Sequence, residues 1–321
     1  MNLIPTLAGL LVAAISLSTQ TAFHPNSRLT SPAAAAADQY RWVRAAEPGA
    51  KGWPRWVLPV VGFGDRLWMV DKEMTWDSAD GLRWRAARHN GSAAVKHGAG
   101  RVFFKNQLWL LGGMKTWAEF TNDVWASSDG LDWKLVNPKA AWAPRRDPRL
   151  VVFADKLWLM GGGESSGRED VPSRDYRDVW NSSDGINWTK VAETVPWKGG
   201  DAIVFQNRIW IIGRGEAWYT EDGKTWKESA KGGPALTRGG NGIVLLDGRL
   251  WLFGGVRQDR MTHDVWSSAD GTNWTEESEH APWFPRGGQY SIAYRDKLWI
   301  YGGKTGVDYD HADDIWYMAR R

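Results

Sequence analysis

The sequence has no cysteine. That excludes disulfides, thiolate metal sites, cysteine nucleophiles and attachment through a lipidated cysteine. Histidine is scarce at six residues, and His97, His263 and His311 are scattered with no His-x-His or similar spacing, so no metal site is expected. No Gly-x-Ser-x-Gly elbow and no phosphate-binding glycine loop occur, so no cofactor is expected. Charge is nearly balanced, 40 Lys+Arg against 37 Asp+Glu, and no clustered basic run points to nucleic acid. Long apolar runs are also missing: Leu3 to Ile15 is too short for a membrane span, and no later segment is longer and charge-free.

That first run, followed by Ser16-Leu17-Ser18-Thr19, has the h-region and small-residue cleavage site of a secretory signal peptide, although its n-region carries no Lys or Arg. Residues 1–22 are read as that signal, 23–37 as a flexible leader, and 38–321 as one folded unit. A secreted or periplasmic location is the corresponding expectation.

What the chain has in excess is tryptophan, 24 copies. They recur in register. Six β-rich runs turn at polar residues into Leu-Trp or Ile-Trp, at Trp68, Trp109, Trp158, Trp210, Trp251 and Trp299, which are 41, 49, 52, 41 and 48 residues apart. Short apolar runs flanking turns such as Lys105-Asn106, Ala154-Asp155, Gln206-Asn207 and Asp247-Gly248 read as hairpins. A second hairpin follows in each copy. It opens at Val124-Trp125, Val179-Trp180, Val265-Trp266 or Ile315-Trp316, and turns at Asp80-Gly81, Asp129-Gly130, Asp184-Gly185, Asp222-Gly223 or Asp270-Gly271. Asp-Gly predicts a two-residue turn with positive φ at both central positions. Two hairpins per copy make a four-stranded unit, and the period is that of propeller blades.

The sixth copy stops at Arg321 without a fourth strand, and Asp38 to Trp42 aligns with Asp129 to Trp133. The N-terminal strand is therefore expected to complete the last blade. The fold class that follows is all-β, a six-bladed β-propeller of four-stranded antiparallel blades, with strand edges protected by ring closure.

The paired glycines (Gly112-Gly113, Gly161-Gly162, Gly254-Gly255, Gly302-Gly303), the Asp-Val-Trp strand and the later tryptophan resemble kelch repeats over residues 38–321. The Ser-Ser-Asp-Gly-x-x-Trp turns also resemble the Asp-box of sialidase-type propellers, with one residue fewer between Asp and Trp. The kelch resemblance implies that loops between blades and loops joining second and third strands meet on one face. Arginines repeat in the first set: Arg55, Arg145 with Arg146, Arg238 and Arg286, with Lys96-His97 in the second blade and Gly200-Asp201 in the fourth. Guanidinium forks suit carboxylate and phosphate oxygens, so Arg55, His97, Arg145, Arg146, Arg238 and Arg286 are candidate ligand-binding residues. Trp117, outside the repeat pattern, is added as a stacking platform. The alternative is structural. Repetition blade after blade favours arginines that bridge blades by pairing with Asp123, Asp178, Asp264 and Asp314.

Second-to-third-strand loops are long in blades 2, 3, 5 and 6 and short in blades 1 and 4, which oppose each other in a six-membered ring. A groove across the face, suited to an extended ligand, is expected from this. Three functions fit. The first is an exported, monomeric binding module for a protein or anionic carbohydrate, and it is the reading adopted. The second resembles the kelch-type N-acetylneuraminate epimerases, which act on an anionic sugar, although this chain lacks their long insertions. The third is a sialidase-like hydrolase, which would need a Tyr–Glu nucleophile pair and an acid; Tyr309, Glu164 and Asp147 are available residue types. Galactose oxidase chemistry is excluded by the missing cysteine.

Overall fold

In a computed structural model the structure describes residues 39–46, 59–71, 73–90, 95–116, 118–164, 173–306 and 311–321. The expected signal and leader, Arg55, Trp117 and Tyr309 lie outside these residues.

Every regular element among the described residues is a strand. After the N-terminal β1 (Tyr40–Ala46), blade 1 holds β2 (Val60–Phe63), β3 (Arg66–Val70), β4 (Met74–Ser78) and β5 (Arg85–Arg88). Blade 2 holds β6 (Gly100–Phe104), β7 (Gln107–Thr116), β8 (Glu119–Ser127) and β9 (Lys134–Asn137). Blade 3 is built on β10 (Arg149–Phe153) and β11 (Lys156–Met160), carries a short ribbon of β12 (Gly163–Glu164) and β13 (Arg174–Asp175), and ends with β14 (Val179–Ser182) and β15 (Thr189–Ala192). Blade 4 comprises β16 (Asp201–Phe205), β17 (Arg208–Gly213), β18 (Glu216–Thr220) and β19 (Lys227–Lys231). Blade 5 has β20 (Gly242–Leu246) and β21 (Arg249–Phe253), a ribbon of β22 (Val256–Arg257) and β23 (Arg260–Met261), then β24 (Val265–Ser268) and β25 (Thr275–Ser278). Blade 6 has β26 (Tyr290–Tyr294), β27 (Lys297–Lys304) and β28 (His311–Arg320).

Each blade is a four-stranded antiparallel sheet, and the sixth has the order β1-β28-β27-β26. Tyr40 pairs with Arg320 and Trp42 with Met318, so the first strand of the described residues completes the last blade. The inner strands touch in a closed circle, β2 to β6 to β10 to β16 to β20 to β26 and back to β2. The fold is a six-bladed propeller, as the repeats predict. No helix of the described residues is long and apolar enough to cross a membrane.

The tryptophans explain how blades stack. Each second-strand indole donates its N–H to the last carbonyl of its own first strand, as Trp109 does to Phe104 at 2.8 Å and Trp210 to Phe205 at 3.0 Å. Its ring then lies flat under a glycine of the next blade. An added Cβ on Gly130 would meet Trp68, on Gly185 Trp109, on Gly223 Trp158 and on Gly271 Trp210, all within 3 Å. These are the glycines of the Asp-Gly turns. A second aromatic set joins connectors to outer strands edge-on: Trp142 on Trp188, Trp197 on Trp226 and Trp283 on Trp42. Trp42 occupies the position of Trp188 and Trp226, so the N-terminal strand is equivalent to a fourth strand in packing as well as in pairing.

One turn assignment needs correcting. Positive φ at both central positions occurs in the first hairpins, at Lys105 and Asn106, Ala154 and Asp155, and Gln206 and Asn207, whereas in the Asp-Gly turns only the glycine is left-handed. There the aspartate side chain organises a longer loop. Asp184 Oδ1 accepts the N–H groups of Ile186 at 2.8 Å and Asn187 at 2.7 Å, while Ser182 Oγ accepts that of Gly185 at 2.8 Å. Carboxylate-to-amide bonding replaces tight backbone geometry.

Candidate functional site

The inner strands surround a cavity of about 1220 Å³ that opens on the face where the connectors lie. Its wall at one level is a ring of equivalent positions, Val60, Arg101, Leu150, Ala202, Ile243 and Ser291, identified by their cross-strand partners in each first hairpin. All six line the cavity. Toward the mouth it is lined by His97, Arg146, Asp147, Arg149, Asp201, Asn241, Gln289 and Tyr290, among others.

The repeated arginines do not reach it. The side chains of Arg145, Arg238 and Arg286 are 0% exposed. Arg145 binds Asp178 through both terminal nitrogens, at 2.5 and 2.9 Å, and Arg238 and Arg286 bind Asp264 and Asp314 in the same way. Each first terminal nitrogen also donates to a carbonyl of the paired-glycine turn, as Arg145 does to Gly161 at 2.8 Å. The aspartate is shared with the tryptophan two residues on, and Trp180 Nε1 reaches Asp178 at 2.8 Å. Burial pushes the Asp178 pKa up, but the bonds from Arg145 and Trp180 outweigh it and hold the carboxyl below its usual range. In blade 2 Lys96 takes the arginine's place against Asp123 at 2.9 Å.

These pairs bridge blades. The backbone of Arg145 bonds to Gly113 and Thr121 of blade 2, while its side chain bonds to blade 3. Arg145, Arg238 and Arg286 therefore leave the list of ligand-contacting candidates, because a guanidinium saturated by its own protein has nothing left to offer. His97 and Arg146 remain, both at the cavity. Arg146 Nε contacts Asp147 at 2.7 Å, and its backbone pairs with Gly163. Burial, together with the nearby Arg146, holds the His97 pKa below its ordinary value.

Two groups that were not among the candidate ligand-binding residues dominate the interior. Arg101 lies on the inner wall. It gives one bond, to the carbonyl of Ala99 at 3.0 Å, and its Nε is buried with no partner among the described residues. No carboxylate there lies within ion-pair distance of it. Burial lowers its pKa, opposed by the nearby Tyr290 and Asp147. The other is Asp201, partly buried beside Arg149. Asn241 Nδ2 is 3.3 Å from Asp201 Oδ2, and Arg149 Nε donates to the Gly200 carbonyl. Burial raises the Asp201 pKa to about 6, against the pull of Arg149 and Arg214. The ionised form is thus penalised by folding. The stability this carboxyl contributes is present below its unfolded pKa, near 4, and lost as pH rises through about 6. Asp201→Asn is expected to gain about 1–3 kcal/mol at pH 8 and almost nothing at pH 4. Urea denaturation at the two pH values checks this, and equal effects at both would refute it.

The rim is uneven. Blades 2 and 6 extend the β7–β8 and β27–β28 hairpins, and blades 3 and 5 carry the β12–β13 and β22–β23 ribbons. Connectors add bridges to these four alone among the described residues: His97 to Met114, Arg146 to Gly163, Gly239 to Val256 and Gly287 to Lys304. Blades 1 and 4 have tight turns, from Val70 to Met74 and from Gly213 to Glu216. Glu164, named with Tyr309 and Asp147 as an available residue type for a Tyr–Glu pair and an acid, accepts from the Tyr176 hydroxyl at 2.8 Å.

No family model matches the sequence, and no curated protein matches it. Among solved structures the chain is similar to one described as the structure of YjhT, with a TM-score of 0.63 and 14% identity, over 82% of this chain and 95% of that one. At that identity the likeness establishes the propeller architecture.

Proposed function

We propose that the protein is a binding module for a small anionic ligand seated in the central cavity, an acidic sugar being the class that the kelch resemblance suggests. The observation that carries this reading is Arg101, a guanidinium that lines the cavity and whose hydrogen bond among the described residues is to the Ala99 carbonyl, with no carboxylate there to pair it. Leaving a half-buried cation unpaired costs free energy that a ligand oxygen at the guanidinium recovers, and a carboxylate does so with charge. The cavity suits a small molecule better than a protein surface, since three of the arginines expected to offer charge on that face, Arg145, Arg238 and Arg286, are internal. Arg101→Gln is expected to weaken binding of acidic sugars or small carboxylates by about 10- to 100-fold in calorimetric titration, the loss of a charged hydrogen bond. Unchanged affinity would overturn the assignment.

A second reading is enzymatic, an anomer exchange of a sugar acid. It is favoured by Asp201, whose pKa of about 6 suits proton transfer near neutral pH. Nuclear magnetic resonance of anomer exchange decides it: acceleration by the wild type that Asp201→Asn abolishes supports the enzyme, and no acceleration leaves the binding module.

A further inference from the structure

The ring Val60, Arg101, Leu150, Ala202, Ile243 and Ser291 is not evenly mixed. Blades 3, 4 and 5, consecutive in the circle, present Leu150, Ala202 and Ile243. Blades 6, 1 and 2 present Ser291, Val60 and Arg101. Tyr290, adjoining Ser291, lines the cavity in the same sector and is close enough to Arg101 for the guanidinium charge to act on its phenol. The next level down continues with Gly62, Phe103, Val152, Val204, Leu245 and Ala293, where no side chain is polar. Charge at this depth is therefore confined to one side and is of one sign.

We infer that the cavity selects a ligand with a single negative group on one edge and an apolar flank on the opposite edge. This rests on the binding reading above and narrows its anion, from a fully hydroxylated sugar acid to a carboxylate with few hydroxyls on one edge. The negative group sits against Arg101 with the hydroxyls of Ser291 and Tyr290 nearby, and the flank meets Leu150, Ala202 and Ile243. A hydroxyl turned toward those three side chains loses its water and finds no partner. A second negative group placed there has no cation to meet. Polar substituents are accommodated only toward the mouth, where Asn241, Gln289, Arg149 and Asp201 lie.

Cyclohexanecarboxylate and glucuronate test this directly, because both are six-membered rings bearing one carboxylate and they differ in ring hydroxyls. Calorimetric titration of the full chain is expected to show cyclohexanecarboxylate binding at least tenfold tighter, the scale on which an apolar pocket discriminates. The Ile243→Thr variant, and Leu150→Thr with Ile243→Thr, are expected to shrink that preference several-fold. Ile243→Thr alone keeps β-branching and is the smaller perturbation, so it serves if the double variant does not fold. Arg101→Gln should weaken both ligands together. Equal affinities that both depend on Arg101 overturn the selectivity and leave the binding reading standing. If neither compound binds the wild type, both fail, and a preference unmoved in Ile243→Thr places the apolar contact elsewhere and overturns the assignment to blades 3–5.

Discussion

Arg145→Ala is expected to lower the free energy of unfolding by about 3–5 kcal/mol at pH 7, because it strands Asp178 as an uncompensated, largely covered charge. The loss exceeds that of one ion pair. The guanidinium also satisfies the carbonyl of Gly161, and its backbone is held by blade 2, so the variant loosens a seam between blades. Arg145→Ala with Asp178→Asn should recover part of the deficit, since an amide keeps the acceptor for Trp180 and removes the charge. The pH dependence has a definite sign. In the wild type Asp178 is held below its usual range, so it contributes stability above its unfolded pKa and loses it as pH falls through the lower folded value. In Arg145→Ala burial is opposed only by the bonds from Trp180 and the Asp178 backbone, so the penalty on its charged form relaxes as pH falls. The two proteins should therefore converge toward pH 3. Urea denaturation at pH 7 and pH 4 measures this, and a deficit below about 1 kcal/mol at pH 7 would refute the bridging role.

Gly223→Ala is expected to cost about 2–4 kcal/mol, combining overpacking with a left-handed backbone that alanine resists. Gly223 has φ of 73°, and a Cβ there would lie 2.2 Å from the Trp158 ring of the preceding blade. Neither partner yields easily, since Trp158 is 5% exposed and its indole N–H is bound to Phe153. Gly248→Ala is the control. It has a similar φ of 71° but nothing within 4 Å of the added atom, so it isolates the backbone contribution of about 1 kcal/mol. Thermal unfolding of both variants separates the two effects, and equal losses would mean that the glycine–tryptophan contact contributes nothing.

Much of the fold was legible because the repeats mark both hairpins and the missing fourth strand. The pairing of Arg145, Arg238 and Arg286 with aspartates was legible as well, since a bond that recurs in each blade leaves a recurring pair in the sequence. What the sequence hid was Arg101. It sits in Gly100-Arg101-Val102-Phe103-Phe104, a run that reads as one more apolar strand, and it carries no motif. Its signal is the contrast with its five equivalents, Val60, Leu150, Ala202, Ile243 and Ser291, which appears only when first strands are aligned position by position. Asp201 stood out as a substitution in its connector. Its raised pKa depends on burial and on Arg149 and Arg214, which spacing along the chain does not convey. The Asp-Gly turns misled for a simpler reason. The aspartate side chain takes over bonding that a tight turn would leave to the backbone, so its own φ need not be positive.

The pairing of β1 with β28 has a kinetic consequence. Strand β1 is among the first parts of the folded region to be made, and its partner, ending at Arg320, is the last. Blades 1 to 5 are assembled from neighbouring segments and can form while the chain is still growing, but blade 6 must wait until β28 has been made. Until then Tyr40 and Trp42 have no sheet to join, and once it arrives the whole ring closes in a single step of very long sequence separation. A slow final phase in refolding, lost when the ends are relocated by circular permutation between two blades, is what such a clasp should produce.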